Sequence, residues 1–375
     1  MGYTSSATNT SRADLRAYVL LSTPYSFVVF LLPFYVLEIG GGSVEVGVAY
    51  ASYAAAVVVT RPTSGALADK FGRRRVMLLG GATLAVSMAL LALSTGVAHV
   101  YISLFLAGAA SSLVNVAALA YVSDVGGLED PALYSRLKTA AALGALAGGA
   151  SIPAVYVLSR LLSFADAFRL VAAVLALLAV SALLAVPGET KHLAARHKKG
   201  DRVQTFCVMS LATAFGSAVG LYGPQVMLYL HRRYSLSPYT AVVAYLPSVV
   251  SWIVGPRLAG PAYARLIAGG AAMALALVGM AVSPSPYVFS AFWAIESLGV
   301  AAVSTSLDQR LVRHVAGSYW GRGYGLYQAL YNLGYSAAAA VSGFFDDPFT
   351  PALAPLSAAL LTAAVCSNLQ KRRAA

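Results

Sequence analysis

Glu296 lies about eleven residues inside a long apolar run, roughly 16 Å along a helix at 1.5 Å per residue, whereas most other acids fall between runs. Ionisable groups at such depth in a bilayer are expensive and commonly mark proton or ion pathways. Glu296 reads either as a proton carrier or as a neutral acid hydrogen-bonded to a neighbouring helix. A second set is aromatic and amide. Tyr324, Tyr327, Gln328, Tyr331, Asn332 and Tyr335 recur at spacings of three and four and share one helical face. Such a face suits the wall of a polar cavity, although tyrosines also pack with their hydroxyls satisfied locally. Tyr25 (with Ser22, Thr23 and Ser26), Asn115, Tyr222, Gln225 and Trp293 place further polar or aromatic groups at similar depth in other runs. One acid with tyrosines and an indole suits a lipophilic cation, by charge pairing and cation–π contact. The amides and tyrosines suit a sugar equally well. No lysine or arginine stands out near the middle of a run, and Arg61 lies toward one end of its own, which disfavours a strongly anionic ligand such as a phosphate ester.

The third set is charged and dense. Gly65-Ala-Leu-Ala-Asp69-Lys-Phe-Gly72-Arg73-Arg74-Arg75 separates two apolar runs that are almost free of charge. Gly65 allows close approach of a partner helix, and Asp69 is an acid at the membrane surface among arginines, which keep it ionised. Arg74 and Arg75 are explained by the orientation of membrane segments alone.

The elements that must position these residues are membrane helices. The chain of 375 residues is 59% hydrophobic and 11% charged, with mean hydropathy +0.72; soluble domains carry about 25% charged residues. A spanning helix needs about 20 mostly apolar residues. Candidate spans fall at 16–38, 44–67, 75–94, 98–123, 133–158, 164–187, 203–230, 238–258, 262–283, 286–312, 321–345 and 349–369, twelve in all. Turn signals punctuate them at Gly40 to Gly42, Gly126-Gly127, Pro187-Gly188, Pro284 to Pro286 and Asp346 to Pro348.

An even number of spans puts both termini on one side. Of the 26 lysines and arginines, only Arg160, Arg169, Arg232 and Arg233 then fall on the other side, so both termini are expected in the cytoplasm and the chain in the cell membrane as a multi-pass protein. Residues 1–11 are polar and lack the order of a cleavable leader, so the first run is expected to remain a helix. The net charge of +12 is spread in short clusters between runs and does not form the basic face of a nucleic-acid-binding domain. Cys207 and Cys366 lie within apolar runs, without metal-site or disulfide spacing, and read as small buried side chains. The five histidines, His99, His192, His197, His231 and His314, all sit at span ends or in a linker, and no metalloprotease, diphosphate or nucleophile–histidine motif is present. A polytopic enzyme is therefore the least favoured reading, with no metal and no cofactor expected.

The basic stretch 188–202, which includes Lys191 to Lys199, divides the spans six and six. It predicts an N-terminal bundle at 1–187, a linker at 188–202 suited to an anionic lipid surface, and a C-terminal bundle at 203–375. An echo supports two related halves: Thr60 to Asp69 followed by Leu78 to Ala82, against Gly255 to Gly260 followed by Ile267 to Ala271. The fourth and tenth spans each end near an aspartate, Asp124 and Asp308.

The knot between the second and third spans resembles the corresponding loop of major facilitator superfamily transporters, and the Gly321-Arg-Gly-Tyr-Gly-Leu-Tyr run is similar to the usual start of their eleventh helix. The resemblance covers the whole chain. It implies an all-α integral membrane protein with two pseudo-symmetric six-helix bundles that work by alternating access. It further implies a gating cluster of Gly65, Asp69, Gly72, Arg73 and Asp124. In it Asp69 faces the start of the eleventh span near Gly321 to Gly325, and Arg73 pairs with Asp69 and Asp124. Gly144-Ala-Leu-Ala-Gly148-Gly149, with Pro153 beyond, partly resembles a glycine-rich segment of family antiporters, and small-residue helix packing explains it as well. The expected function is secondary active transport of a small-molecule substrate by a monomer in the bilayer. Proton-coupled efflux of amphipathic or cationic compounds through Glu296 comes first, and uptake of a sugar or other neutral solute second.

Overall fold

A computed structural model describes residues 14–126, 131–189, 201–314 and 320–374. The polar N-terminal segment and the body of the basic linker, 190–200, lie outside the described residues. The described residues are helical, without a strand, and group into twelve long helical passes, called crossings below. The first four crossings are α1 (Arg16–Glu38), α2 (Ser43–Phe71), α3 (Arg73–Ala92) and α4 (Val97–Gly126). The fifth is divided into α5 (Pro131–Gly149) and α6 (Ser151–Leu158), and the sixth is α7 (Phe164–Ala182). The seventh comprises α8 (Arg202–Tyr222) and α9 (Val226–Tyr234); the eighth, α10 (Pro238–Val243) and α11 (Leu246–Leu258). The last four are α12 (Tyr263–Val282), α13 (Pro286–His314), α14 (Trp320–Ser342) and α15 (Phe349–Ala374).

Eleven of the twelve crossings are long and apolar enough to span a membrane by length and composition; α14 is the exception, because its tyrosines and amides lower its hydropathy. It tolerates them by packing between α2 of the first half and α8 of the second, which shelters one face from lipid.

Local chemistry sets the ends of the crossings. The Glu45 carboxylate accepts from the Gly42 N–H at 2.8 Å at the start of α2. Ser163 caps α7 by accepting from the Asp166 N–H at 3.1 Å, and Asp201 caps α8 by accepting from Val203 and Gln204 at 3.0 and 3.2 Å. Interruptions within crossings follow the same rules. A 3-10 turn at Gly223–Gln225 containing Pro224 breaks the seventh, and Pro247, which has no N–H to give, stands at the start of α11 in the eighth. Gly148 sits where a Cβ would collide with the Thr23 carbonyl of α1, and Gly144 where one would meet the Val19 carbonyl. Close packing of the fifth crossing on the first therefore accounts for both glycines.

Two apolar cores result. One draws on residues from Ala17 to Val186, the other on Cys207 to Cys366, with Phe34 joining the second and Leu228 and Ala339 the first.

The two cysteines correct the sequence expectation. They are buried as expected, but they form a disulfide between α8 and α15 with Cα atoms 6.1 Å apart. A separation of 159 residues hid the pairing, since only the packing of the first crossing of this half on its last brings the two sulfurs together. Cys207→Ser is expected to cost about 2–4 kcal/mol and lower the thermal midpoint by roughly 3–5 °C. Melting curves of the variant, and of the wild type under reduction, measure this; identical midpoints would deny the bond a structural role.

The halves meet chiefly on the side opposite the termini, called here the far side. Ser43 Oγ donates to the Gly343 carbonyl at 3.2 Å, and Ser336 Oγ to the Ala51 carbonyl at 2.9 Å. The Ser159 and Tyr239 hydroxyls are 2.9 Å apart. Rings meet across the same region, Phe30 tilted against Tyr245 at 4.7 Å and Phe34 edge-on to His231 at 5.8 Å. Toward the terminal side, α5 and α11 form no packed interface among the described residues, although α6 and α10 of the same crossings touch at the far side. Among the described residues the halves are joined at the far side and along α2 and α14, and are parted between α5 and α11 toward the terminal side.

Candidate functional site

The charged knot folds as a helix–turn–helix on the terminal side. Gly72 holds φ +92° between α2 and α3, a conformation that other residues reach only with strain, and a Cβ there would also strike the Glu189 carboxylate. With glycine at the cap position, α3 has no capping side chain of its own. Glu189 supplies the missing acceptor: its carboxylate takes the N–H of Arg73 at 2.7 Å and of Arg74 at 3.2 Å. An anion suits the exposed amides and the dipole at a helix start. The sequence reading left Glu189 in the linker, and only the return of the chain after α7 brings it here.

Arg73 is buried and holds the rest of the cluster. Its Nε donates to Asp124 Oδ2 at 2.8 Å, and its Nη1 donates to the Ala68 carbonyl at 2.8 Å and faces Asp69 at 3.2 Å. The Asp124 side chain is 4% exposed and that of Asp69 is 64% exposed. Gly65 lies one turn before Asp69 on α2 and is half-buried. The structure thus brings Asp69, Gly72, Arg73 and Asp124 together within the first half. Among the described residues no hydrogen bond or ion pair joins Asp69 to the start of α14 near Gly321 to Gly325, where Gly325 lies against Arg61 and Pro62 of α2 instead.

In the second half Glu296 of α13 is 4% exposed. Its Oε1 accepts from the Tyr222 hydroxyl of α8, and its Oε2 from the Ser297 hydroxyl at 3.1 Å. Tyr245 and Tyr331 lie within electrostatic range of the carboxylate. Trp293, one turn before Glu296, packs on Tyr245 at 4.9 Å and on Phe289 at 5.9 Å. Four of the residues singled out in the sequence (Tyr222, Trp293, Glu296 and Tyr331) therefore form one cluster where the seventh, tenth and eleventh crossings meet.

The remaining candidates divide. On α14, Tyr324 and Tyr327 contact each other at 6.2 Å, Gln328 Nε2 donates to the Tyr324 hydroxyl at 3.5 Å, and Asn332 donates to the Gln328 carbonyl at 2.8 Å. Gln328, Tyr331 and Asn332 are half-buried, as a helix face beside an opening would be. In the first half, Asn115 accepts from the Tyr18 hydroxyl at 2.5 Å and donates to Ser111 Oγ at 2.9 Å, and the Tyr25 ring meets Tyr53 edge-on at 6.3 Å. Gln225 is placed elsewhere. Its Nε2 donates to the Ser43 carbonyl and to Ser342 Oγ, each at 3.0 Å, so it ties the broken seventh crossing to the far-side closure.

Sequence reasoning also passed over Arg310, which counted there only as a positive charge near the end of α13. It is almost fully buried; Nη2 donates to Gln204 at 2.7 Å and Gln370 at 3.1 Å, Nη1 donates to the Pro261 carbonyl, and its guanidinium lies 3.3 Å from the Tyr263 ring centre. It joins the seventh, ninth, tenth and twelfth crossings much as Arg73 joins its own half. Its place two residues after Asp308, opposite Asp124 of the other half, was the available signal.

Comparison with known proteins adds an independent line. A family model described as Major Facilitator Superfamily matches residues 17–268, more than half of the chain. A curated relative, Multidrug resistance protein 2 of Bacillus subtilis (strain 168), is 24% identical over 230 residues; the alignment spans 57% of this chain and 56% of that protein, so a little over half of each is compared. Among solved structures, a proton dependent oligopeptide transporter study aligns with TM-score 0.72 at 14% identity over 96% of both chains. A mutant of the nucleoside transporter NupG aligns with TM-score 0.68 at 13% identity, covering 95% of this chain and 99% of that one. The human organic anion transporter MFSD10 (TETRAN) gives 0.67 at 16%, covering 94% and 99%. At these identities the solved structures speak to the fold alone.

Proposed function

The chain belongs to the Major Facilitator Superfamily, as a multi-pass membrane transporter and not an enzyme, and from that premise we propose that it exchanges protons, through Glu296, for small amphipathic or cationic compounds leaving the cell. The observation that carries this reading is a buried carboxyl bonded to Tyr222 at the meeting of the seventh and tenth crossings. Tyr245, Tyr331 and Trp293 around it present aromatic faces suited to a cation. The curated relative's name, a multidrug resistance protein, favours export in the same direction.

In this reading 1–187 and 203–375 are two bundles that rock about the central cluster, joined by the linker 188–202. Both termini face the cytoplasm of a cell membrane, in keeping with the basic residues on that side. The far-side contacts through Ser43, Gln225 and Tyr239 then close the outer face, and the parted side opens inward, a state ready to load from the cytoplasm. A monomer suffices, since each half supplies part of the cavity.

Asp69 serves as a latch. Exposed on the parted side and held by Arg73, it turns to the start of α14 when the bundles close there, where free amides and the helix dipole favour an anion. Losing such a charge–dipole contact costs about 0.3–1 kcal/mol, so Asp69→Asn is expected to slow transport roughly two- to fivefold with the melting midpoint unchanged. Transport at the wild-type rate would remove the latch role.

The reading is tested by a panel of lipophilic cations, sugars, amino acids and carboxylates, first by thermal stabilisation and then by counterflow in proteoliposomes. A ligand at 100 times its dissociation constant adds about 2.7 kcal/mol of apparent stability. Stabilisation and counterflow by amphipathic compounds support it; a response confined to sugars assigns the protein to solute uptake instead.

A further inference from the structure

The first half holds a buried cation that the scheme above leaves unused. Arg61 of α2 is 6% exposed, yet its Nε has no hydrogen-bond partner, and no acid or carbonyl pairs with its guanidinium among the described residues. The other buried arginines have partners for their guanidinium groups: Arg73 faces Asp69 and Asp124, and Arg310, although its own Nε is also without a partner, is held through Nη1 and Nη2 by the Pro261 carbonyl, Gln204 and Gln370. A guanidinium carries five donors in a planar fork, always charged, and leaving it unmatched among apolar side chains is costly. Arg61 lies eighteen residues from the start of α2, about 27 Å along the helix, in the part of the crossing nearer the parted side.

A second orphan stands beside it. The buried Tyr25 hydroxyl of α1 lies near Ser111 without forming a well-shaped bond, and both Tyr25 and Tyr53 are within electrostatic range of Arg61. Gly325 of α14 lies against the Arg61 backbone, with 3.4 Å from its would-be Cβ to the Arg61 carbonyl, so the eleventh crossing packs on α2 at this level. Two crossings of the first half thus hold, within electrostatic range of each other, a planar cation and a hydroxyl that each lack a hydrogen-bond partner.

We propose that Arg61, with Tyr25 and Tyr53, forms an anion subsite that holds the carboxylate of the transported compound. The geometry reverses the sequence expectation that Arg61 is too peripheral to matter. It rests on the proposed transporter reading and narrows it to amphipathic compounds that carry an acid group. An amine or apolar body on the same compound would still reach the aromatic cluster around Glu296. The carboxylate offers two oxygens to the guanidinium fork and accepts from the tyrosine hydroxyl, which satisfies both orphans together.

The test uses the purified full chain in phospholipid-free maltoside micelles. Alkyl and aryl carboxylates from four to twelve carbons are each compared with the alcohol of the same skeleton by thermal shift. At least one carboxylate is expected to bind more than roughly tenfold tighter than its alcohol. That preference is lost in Arg61→Gln and partly kept in Arg61→Lys; it is read by binding without any pH gradient, so failure of proton coupling and failure of the subsite are separable. Arg61→Lys decides the matter if Arg61→Gln does not fold, because a preference unchanged from wild type there contradicts a fork-shaped site. No carboxylate preference in the wild type, or a preference that survives Arg61→Gln, overturns the proposal. So does stabilisation through Arg61 by added phosphatidylglycerol alone, which would assign the guanidinium to a lipid phosphate.

Discussion

Glu296→Gln is expected to abolish transport driven by a pH gradient while counterflow of the same compound continues. The substitution keeps the shape of the side chain, and the glutamine carbonyl can still accept from Tyr222, so the packing of α8 on α13 survives. What disappears is the group that can lose and regain a proton. Coupled transport needs that cycle, whereas counterflow only exchanges loaded carriers and does not. Driven flux should fall at least tenfold, to the background of empty vesicles. Glu296→Asp, with the carboxyl withdrawn by one methylene from Tyr222, should retain a fraction of the coupling. Driven flux that persists in Glu296→Gln would show that the proton travels elsewhere and that Glu296 is a packing residue.

Arg73→Ala should produce the largest loss of stability. Both Arg73 and Asp124 are almost wholly enclosed, and their contact at 2.8 Å is joined by the Ala68 carbonyl and by Asp69. Removing one member of a buried pair typically costs about 3–5 kcal/mol, because the other charge is left without its cation. For a chain of this size the midpoint should drop by roughly 4–6 °C. Arg73→Ala combined with Asp124→Asn should recover much of the loss, since neither charge then remains, and that non-additivity identifies the pair. Arg73→Lys should fall between, because an ammonium keeps the charge without the planar fork. A drop below about 1 kcal/mol for Arg73→Ala would mean that the pair behaves as an exposed one and that the cluster is not the rigid base of a latch.

The twelve crossings were legible because each apolar run is bounded by charges or by glycine and proline, and a membrane allows few other uses for such runs. The Arg73–Asp69–Asp124 cluster was legible only through the family resemblance, since Asp124 is 51 residues away from its partner. Features that depend on chain return were not. Glu189 caps α3 after three more crossings, Arg310 gathers Gln204 and Gln370 from both ends of its half, and Cys207 waits for the last helix. The interruptions of the fifth, seventh and eighth crossings were missed for a different reason. Hydropathy averages over a window and does not register a one-turn break such as Gly223–Gln225. Depth along a helix also misjudged two residues. Gln225 and Arg61 were placed by their distance from a span end, but Gln225 belongs to the far-side closure and Arg61 is buried with unmatched donors. Burial in a bundle depends on which face meets a neighbour, and distance along the axis carries no information about that.

The central claim is that a proton moves through Glu296 as the substrate crosses. It is tested most directly with a pH-sensitive dye sealed inside proteoliposomes and a compound already shown to undergo counterflow. Adding the compound outside wild-type vesicles should shift internal pH at a rate that tracks its flux, and Glu296→Gln vesicles should carry the compound by exchange with no shift. An equal pH shift in both, or flux in the wild type with no pH shift at all, would contradict the account.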